Sequence, residues 1–128
     1  MNLSTICSPH LGCRLVDEGA KGSYEGEYEK MERVFEILGI TELASREFAT
    51  ENMVDFNMVC ENVPGVDYFS VGSRKEGRIM TELLRHGHDV TVKRKFGIFT
   101  DGVVMPKEAK WGNYLMTFGN DHLEVVGF

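Results

Sequence analysis

The chain has 128 residues, room for one domain at most. Apolar residues make up 42% and charged residues 27%, both near the averages of folded proteins, which argues against wholesale disorder. Fourteen Lys and Arg against twenty Asp and Glu leave a net charge of −6, which disfavours a basic nucleic-acid module, and no apolar run is long enough for a transmembrane segment.

The three cysteines, Cys7, Cys13 and Cys60, include no C-x-x-C pair. That excludes a disulfide scaffold and a zinc ribbon, and the odd count leaves a free thiol, with reducing surroundings as the default. Met1 to Ile6 has no basic stretch ahead of a long apolar core, so it does not read as a signal peptide.

In chain order, Leu3 to Cys7 is an apolar run that reads as a short buried strand, ended by Pro9, which cannot donate to a ladder. Gly19, Gly22 and Gly26 mark a loose segment. Tyr24, Tyr28, Met31, Phe35 and Leu38 recur at helical intervals, with Gly39 as a C-terminal cap. A shorter helix is expected over Thr41 to Phe48. Thr50 is expected to cap a third helix, Glu51 to Cys60, burying Met53, Phe56 and Cys60. Pro64-Gly65 suits a type II turn. Val66 to Val71 follows as a strand, with Val66, Tyr68 and Ser70 on one face and Asp67, Phe69 and Val71 on the other. Ile79 to Leu84 reads as a helix stopped by Gly87, Val90 to Val92 as a small strand, and Tyr114 to Phe118 as the last strand. The order of strand, helices, strand, helix, strand fits an α/β protein with a thin sheet.

Two loops beside apolar runs offer titratable side chains: Thr100-Asp101-Gly102-Val103-Val104 and Asn120-Asp121-His122-Leu123-Glu124. An acid followed by a His about twenty residues later suits the later part of a triad in the order Ser, acid, His. There the acid orients the imidazole, and the His moves the proton between nucleophile and leaving group. A turn at Asp-Gly and a satisfied or surface His are the competing readings of the same residues.

The surrounding residues decide between them. Asp101-Gly102-Val103-Val104, then Glu108-Ala109-Lys110-Trp111-Gly112, then Asp121-His122-Leu123 resembles the C-terminal part of the triacylglycerol lipases of the α/β-hydrolase superfamily. The segment Leu3-Ser4-Thr5-Ile6-Cys7-Ser8-Pro9-His10-Leu11-Gly12, with Asp17 downstream, is similar to that family's strand after the nucleophile helix. Thr50-Glu51-Asn52-Met53-Val54-Asp55-Phe56-Asn57 and Val63-Pro64-Gly65-Val66-Asp67-Tyr68-Phe69-Ser70 match a further helix and strand. The matches run in order over nearly the whole chain.

The resemblance implies that Asp101 is the triad acid and His122 the triad base of a lipase or esterase acting on carboxylic esters such as acylglycerols. It implies a fold that is the C-terminal part of an α/β-hydrolase sheet with lid-like helices, an incomplete domain over residues 1–128, with a cap or lid at 22–60. The apolar face of the Tyr24 to Leu38 helix would cover the acyl site or simply pack on the core. No Gly-x-Ser-x-Gly occurs, and Glu108 stands where the family often has Ser. The Ser nucleophile is expected upstream, so this chain alone is expected to be inactive or to depend on an N-terminal complementary segment. Its cut sheet would then be poorly soluble or partly unfolded alone. A catalytically inactive fragment or a partner-dependent interaction protein is the alternative. The compartment stays open between secreted and cytoplasmic.

The remaining candidates are weaker. Cys7 and Ser8 end a strand, where a substitute nucleophile would sit, but Pro9 follows and no small-residue pattern surrounds them. His86 and His88, with Asp89, read as solvated surface rather than a metal pair. Glu124 suits a calcium ligand, yet Val126, Gly127 and Phe128 add no side-chain oxygen, so no metal and no cofactor is expected. Trp111 reads as a packing residue and Lys93-Arg94-Lys95 as a solvated loop.

Overall fold

The computed structural model of the protein describes residues 1–20, 36, 39, 41, 46–76, 84, 85, 89 and 100–127. Among them run β1 (Asn2–Ile6), α1 (Arg14–Ala20), α2 (Thr50–Val59), β2 (Asp67–Ser73), β3 (Asn113–Phe118) and α3 (His122–Val126). Most of the helices expected over Tyr24 to Leu38, Thr41 to Phe48 and Ile79 to Leu84, and the strand expected at Val90 to Val92, lie outside the described residues. Gly39 has φ +70°, and its N–H donates to the Glu36 carbonyl at 3.0 Å, as a terminal glycine cap does.

The strands form one parallel sheet in the order β1-β2-β3. Leu3 pairs with Tyr68 and Ile6 with Val71 on one side of β2, and Ser70 pairs with Tyr114 on the other. The register steps so that Val71 meets Met116, which leaves Leu115 unmatched. β2 is flanked by a strand on each side, and its last residues are well covered: Ser70, Gly72 and Ser73 are buried and Val71 is half-buried. A central parallel strand is covered on both faces. Gly72 gives room to its neighbours, because a Cβ there would overlap the Tyr114 hydroxyl and press on Pro106.

β1 corrects the expectation of a buried strand. It pairs only with β2 among the described strands, and Leu3 and Ile6 remain 46% and 56% exposed. It also ends one residue earlier than expected. Cys7 leaves the strand at φ +50°, a conformation that costs a non-glycine residue about 1–3 kcal/mol unless its surroundings impose it. The Cys7 N–H still donates to the Val71 carbonyl at 2.9 Å.

α1 was not foreseen. Seven residues make less than two turns, too few to display a period, and it forms because Leu15 and Val16 enter the core. Its Asp17 corrects a second expectation. Thr50 is the first residue of α2 rather than its cap; Ala49 holds the cap position, with no side-chain bond. Thr50 instead gives its backbone N–H to Asp17 Oδ1 at 2.8 Å and its hydroxyl to Asp17 Oδ2 at 2.5 Å. Nor does α2 bury the residues expected of it. No α2 residue is buried: Met53 is half-buried, Phe56 is 56% exposed, and Cys60, just past the helix, is exposed.

The core lies under the loop after residue 100 rather than on a sheet face. Cys13, Leu15, Val16, Leu84, Val103, Val104 and Ala109 form it, with Phe48, Ala49 and Leu123 packed against it. Gly12 lets the start of α2 approach the chain closely. Its φ is +87°, and a Cβ there would overlap the Thr50 backbone. Gly12→Ala is therefore expected to lower the unfolding free energy by at least about 1–3 kcal/mol, read as a drop in the denaturant midpoint. A variant with an unchanged midpoint would contradict this packing.

Candidate active site

Asp101 follows Thr100 in a tight loop, and its side chain is fully buried. Its Oδ1 accepts the backbone N–H groups of Val103 at 2.9 Å and Val104 at 2.7 Å. The Asp101 N–H donates to the Val104 carbonyl at 3.2 Å, and Thr100 Oγ1 accepts the Gly102 N–H at 3.1 Å. Asp-Gly supports this turn, because Gly102 takes φ +100°. The loop spends Oδ1 on itself and leaves Oδ2 facing outward to His122.

His122 opens α3. Its Nδ1 lies 2.8 Å from Asp101 Oδ2, and its backbone N–H donates to the Asp101 carbonyl at 2.9 Å. Two bonds thus join residues 21 positions apart, one through the side chains and one through the backbone. Asp121 caps α3: its Oδ1 accepts the Glu124 N–H, and Glu124 Oε2 accepts the Asp121 N–H, both at 3.1 Å. Gly127 closes the helix at φ +90°.

The end of β2 braces both loops. Lys75 N–H donates to the Thr100 carbonyl and Arg74 N–H to the Phe118 carbonyl, each at 3.0 Å. The Ser73 hydroxyl donates to the Asn120 carbonyl. The segment after β1 braces the acid loop from the other side. Glu108 is buried; its Oε2 accepts the Met105 N–H at 2.8 Å and its Oε1 the Arg14 N–H at 3.0 Å. Burial pushes the Glu108 carboxyl up, against those two N–H groups and the charges of Lys107 and Arg14. A carboxylate at 108 thus bolts the loop to α1, a role that sequence reading did not assign to it.

Cys7 joins the site as a buried neutral thiol. Burial first, then the charge of Asp101 and a hydrogen bond to it, push the Cys7 thiol up to about 12. Such a thiol holds its proton at neutral pH, so it does not suit a nucleophile. Cys13 is likewise pushed up to about 12, chiefly by burial. Trp111 packs as expected: it stacks on His10 at 4.6 Å between ring centroids and meets Tyr68 at 4.4 Å. Its Nε1 donates to Asn62 Oδ1 at 3.0 Å. Among the described residues no group of three or more His, Cys, Asp or Glu could hold a metal ion. His86, His88 and Lys93-Arg94-Lys95 lie outside the described residues; Asp89 is exposed.

The electrostatics of His122 are a contest. Burial disfavours its imidazolium, but the hydrogen bond and charge of Asp101, with the charge of Asp121, outweigh burial and raise its pKa above the ordinary 6.5. A histidine raised in the folded state stabilises the fold fully below its ordinary value. That contribution is lost as pH rises through the folded value. Asp101→Asn is expected to bring the His122 titration down, as read by NMR of the imidazole, and to flatten the alkaline fall in unfolding free energy. A wild-type His122 titrating at or below the ordinary value would contradict this balance.

No family model matches the sequence. Over 130 aligned residues the chain is 28% identical to triacylglycerol lipase 2 of Saccharomyces cerevisiae, which covers 100% of the chain and 38% of that protein. The crystal structure of Bacillus licheniformis lipase BlEst2 in its mature form superposes with a TM-score of 0.73 at 23% identity, over 98% of this chain and 49% of the lipase. The metagenomic carboxyl esterase MGS0156 gives a TM-score of 0.71 at 16% identity, over 97% of this chain and 37% of the esterase. The chain therefore spans less than half the length of these three proteins. Its fold is that of part of an α/β-hydrolase, and its sequence is similar to part of a triacylglycerol lipase.

Proposed function

We propose that this chain supplies the acid and the base of a Ser-Asp-His triad that hydrolyses carboxylic esters, most naturally acylglycerols. The observation that carries the reading is the 2.8 Å contact between His122 Nδ1 and a fully buried Asp101 carboxylate. With Oδ1 committed to the loop, Oδ2 accepts from Nδ1, which fixes the tautomer and leaves Nε2 for proton transfer. Nε2 takes the proton of a serine hydroxyl as that oxygen attacks the ester carbonyl. It then returns the proton to the departing alkoxide, and water releases the acyl group by the same two steps. Asp101 stabilises the imidazolium formed on the way. The serine is not among these 128 residues, which contain no Gly-x-Ser-x-Gly. The similarity to a lipase in sequence, and to lipases and esterases in fold, supports the substrate class.

The second reading, a partner-dependent chain, is favoured by β1. Its outer edge carries no strand among the described residues, and Leu3 and Ile6 on it are exposed. Such an edge suits a complementary segment that brings the nucleophile. A cap at 22–60 belongs to the same proposal, supported by the described helix α2, which exposes Val54, Phe56, Met58 and Val59. Nucleic acid finds no support in a chain of net charge −6.

The chain by itself is expected to show no hydrolysis of a short-chain ester above background. In a parent protein that carries the serine, His122→Ala or Asp101→Asn is expected to reduce kcat by about 10⁴-fold. A parent whose rate survives His122→Ala, or a rate from the isolated chain that is lost on that substitution, would overturn the reading.

A further inference from the structure

His122 stands at the start of a five-residue helix, which cannot hold itself together by its own hydrogen bonds. The turn that carries it must be anchored from outside. The backbone supplies part of the anchor, through Asp101, Ser73 and Arg74 as described above. The two charged side chains of the turn meet a third group. Lys75, two residues beyond β2, extends a side chain only 13% exposed between Asp121 and Glu124. Its Nζ lies 3.5 Å from Asp121 Oδ2 and ion-pairs with Glu124 Oε1.

Each carboxylate uses one oxygen for the cap and presents the other to Lys75. Asp121 Oδ1 and Glu124 Oε2 close the reciprocal cap, which leaves Oδ2 and Oε1 for the ammonium. Asp121 precedes His122 directly, and Glu124 follows it by two residues, so Lys75 grips the turn on both sides of the imidazole. Among the described residues, the charged groups around His122 are Asp101 from the acid loop, Asp121 capping α3, Glu124 within it, and Lys75 just beyond β2. Cys7 adds no charge. Asp101 and Asp121 both favour the imidazolium. A general base works best when its affinity for the proton is matched to the working pH. The Lys75 ammonium, paired with Asp121, offsets part of that negative charge.

We propose that Lys75 is a positioning residue for His122: an internal cation that ties both carboxylates flanking the imidazole to the central strand, and so holds the ring against Asp101. Its relevance to catalysis rests on the reading of His122 as a triad base. The clamp itself is a property of this chain and needs no nucleophile. An ammonium does here what a bound metal ion would do between two carboxylates, with the cation built into the chain.

The test is NMR of the parent protein that contains these residues, following the Nδ1 proton shared by His122 and Asp101 together with the ring titration. The wild type is expected to show a resolved downfield Nδ1–H signal. Lys75→Met is expected to lose that signal to exchange and to shift the His122 titration upward, and Lys75→Arg to restore both. Lys110→Met, which removes a cation lying 5.5 Å over the Tyr114 ring, is expected to change neither. A Lys75→Met protein with wild-type signal and titration overturns the proposal, as does failure of Lys75→Arg to restore them. If Lys75→Met does not fold, Glu124→Gln decides. Its amide oxygen keeps the reciprocal cap while the ion pair is lost, so the Nδ1 proton is expected to exchange faster, and unchanged exchange overturns the clamp. The ester-hydrolysis reading fails on a different measurement, the rate of the parent protein after His122→Ala, so the two failures are told apart.

Discussion

A carboxylate shut away from water must have its oxygens occupied by donors, or its burial costs several kcal/mol. Asp101 is that carboxylate, and much of the described structure is arranged to satisfy it. Two donors are its own loop's N–H groups, and one is the His122 ring. The first two can reach Oδ1 only if the chain turns back at Gly102, and that turn drives Val103 and Val104 into the core. Core and site are therefore one construction. A change that loosens the Val103–Val104 packing would also free the oxygen that holds the loop.

The parallel sheet decides where these pieces meet. In a parallel sheet all strands end on the same edge, and groups that follow the strands gather there. Cys7 follows β1, Ser73 to Lys75 lie at the end of β2 and just beyond it, and Asn120 to His122 follow β3. β2 is central, so its last residues can hold the loop before β3 and the turn after it at once, through Thr100, Phe118 and Asn120. Glu108 closes the arrangement from below. It places a buried carboxylate between Met105 and Arg14, and so links the acid loop to α1.

A different economy governs the outer parts. α2 is fastened at its start, by Asp17 to Thr50 and by the close approach of Gly12, while four of its apolar side chains stay exposed. A helix that buried its apolar residues on the core would not leave them available to another surface. β1 offers the same contrast, pinned to β2 on one edge and, among the described residues, carrying no strand on the other. Both are features of a chain that spans part of a larger fold.

The sequence by itself determined the α/β class, the places of the strands around Leu3, Tyr68 and Leu115, and the turn at Pro64-Gly65, and its resemblance to lipases pointed to Asp101 and His122. Alternation, turn residues and short motifs are local, and local signals survive in one dimension. The turn is as expected, with Gly65 at φ +79° and the Val66 N–H on the Val63 carbonyl. Only the tertiary structure decided that Thr50 serves Asp17 rather than its own helix, that α1 exists, that β1 is exposed, and that α2 buries none of the residues expected of it. It alone brought Cys7 to Asp101, Glu108 to Arg14, and Lys75 to the two carboxylates beside His122. Each of those depends on which groups lose water together across dozens of residues, and burial of that kind leaves no period or spacing in the chain.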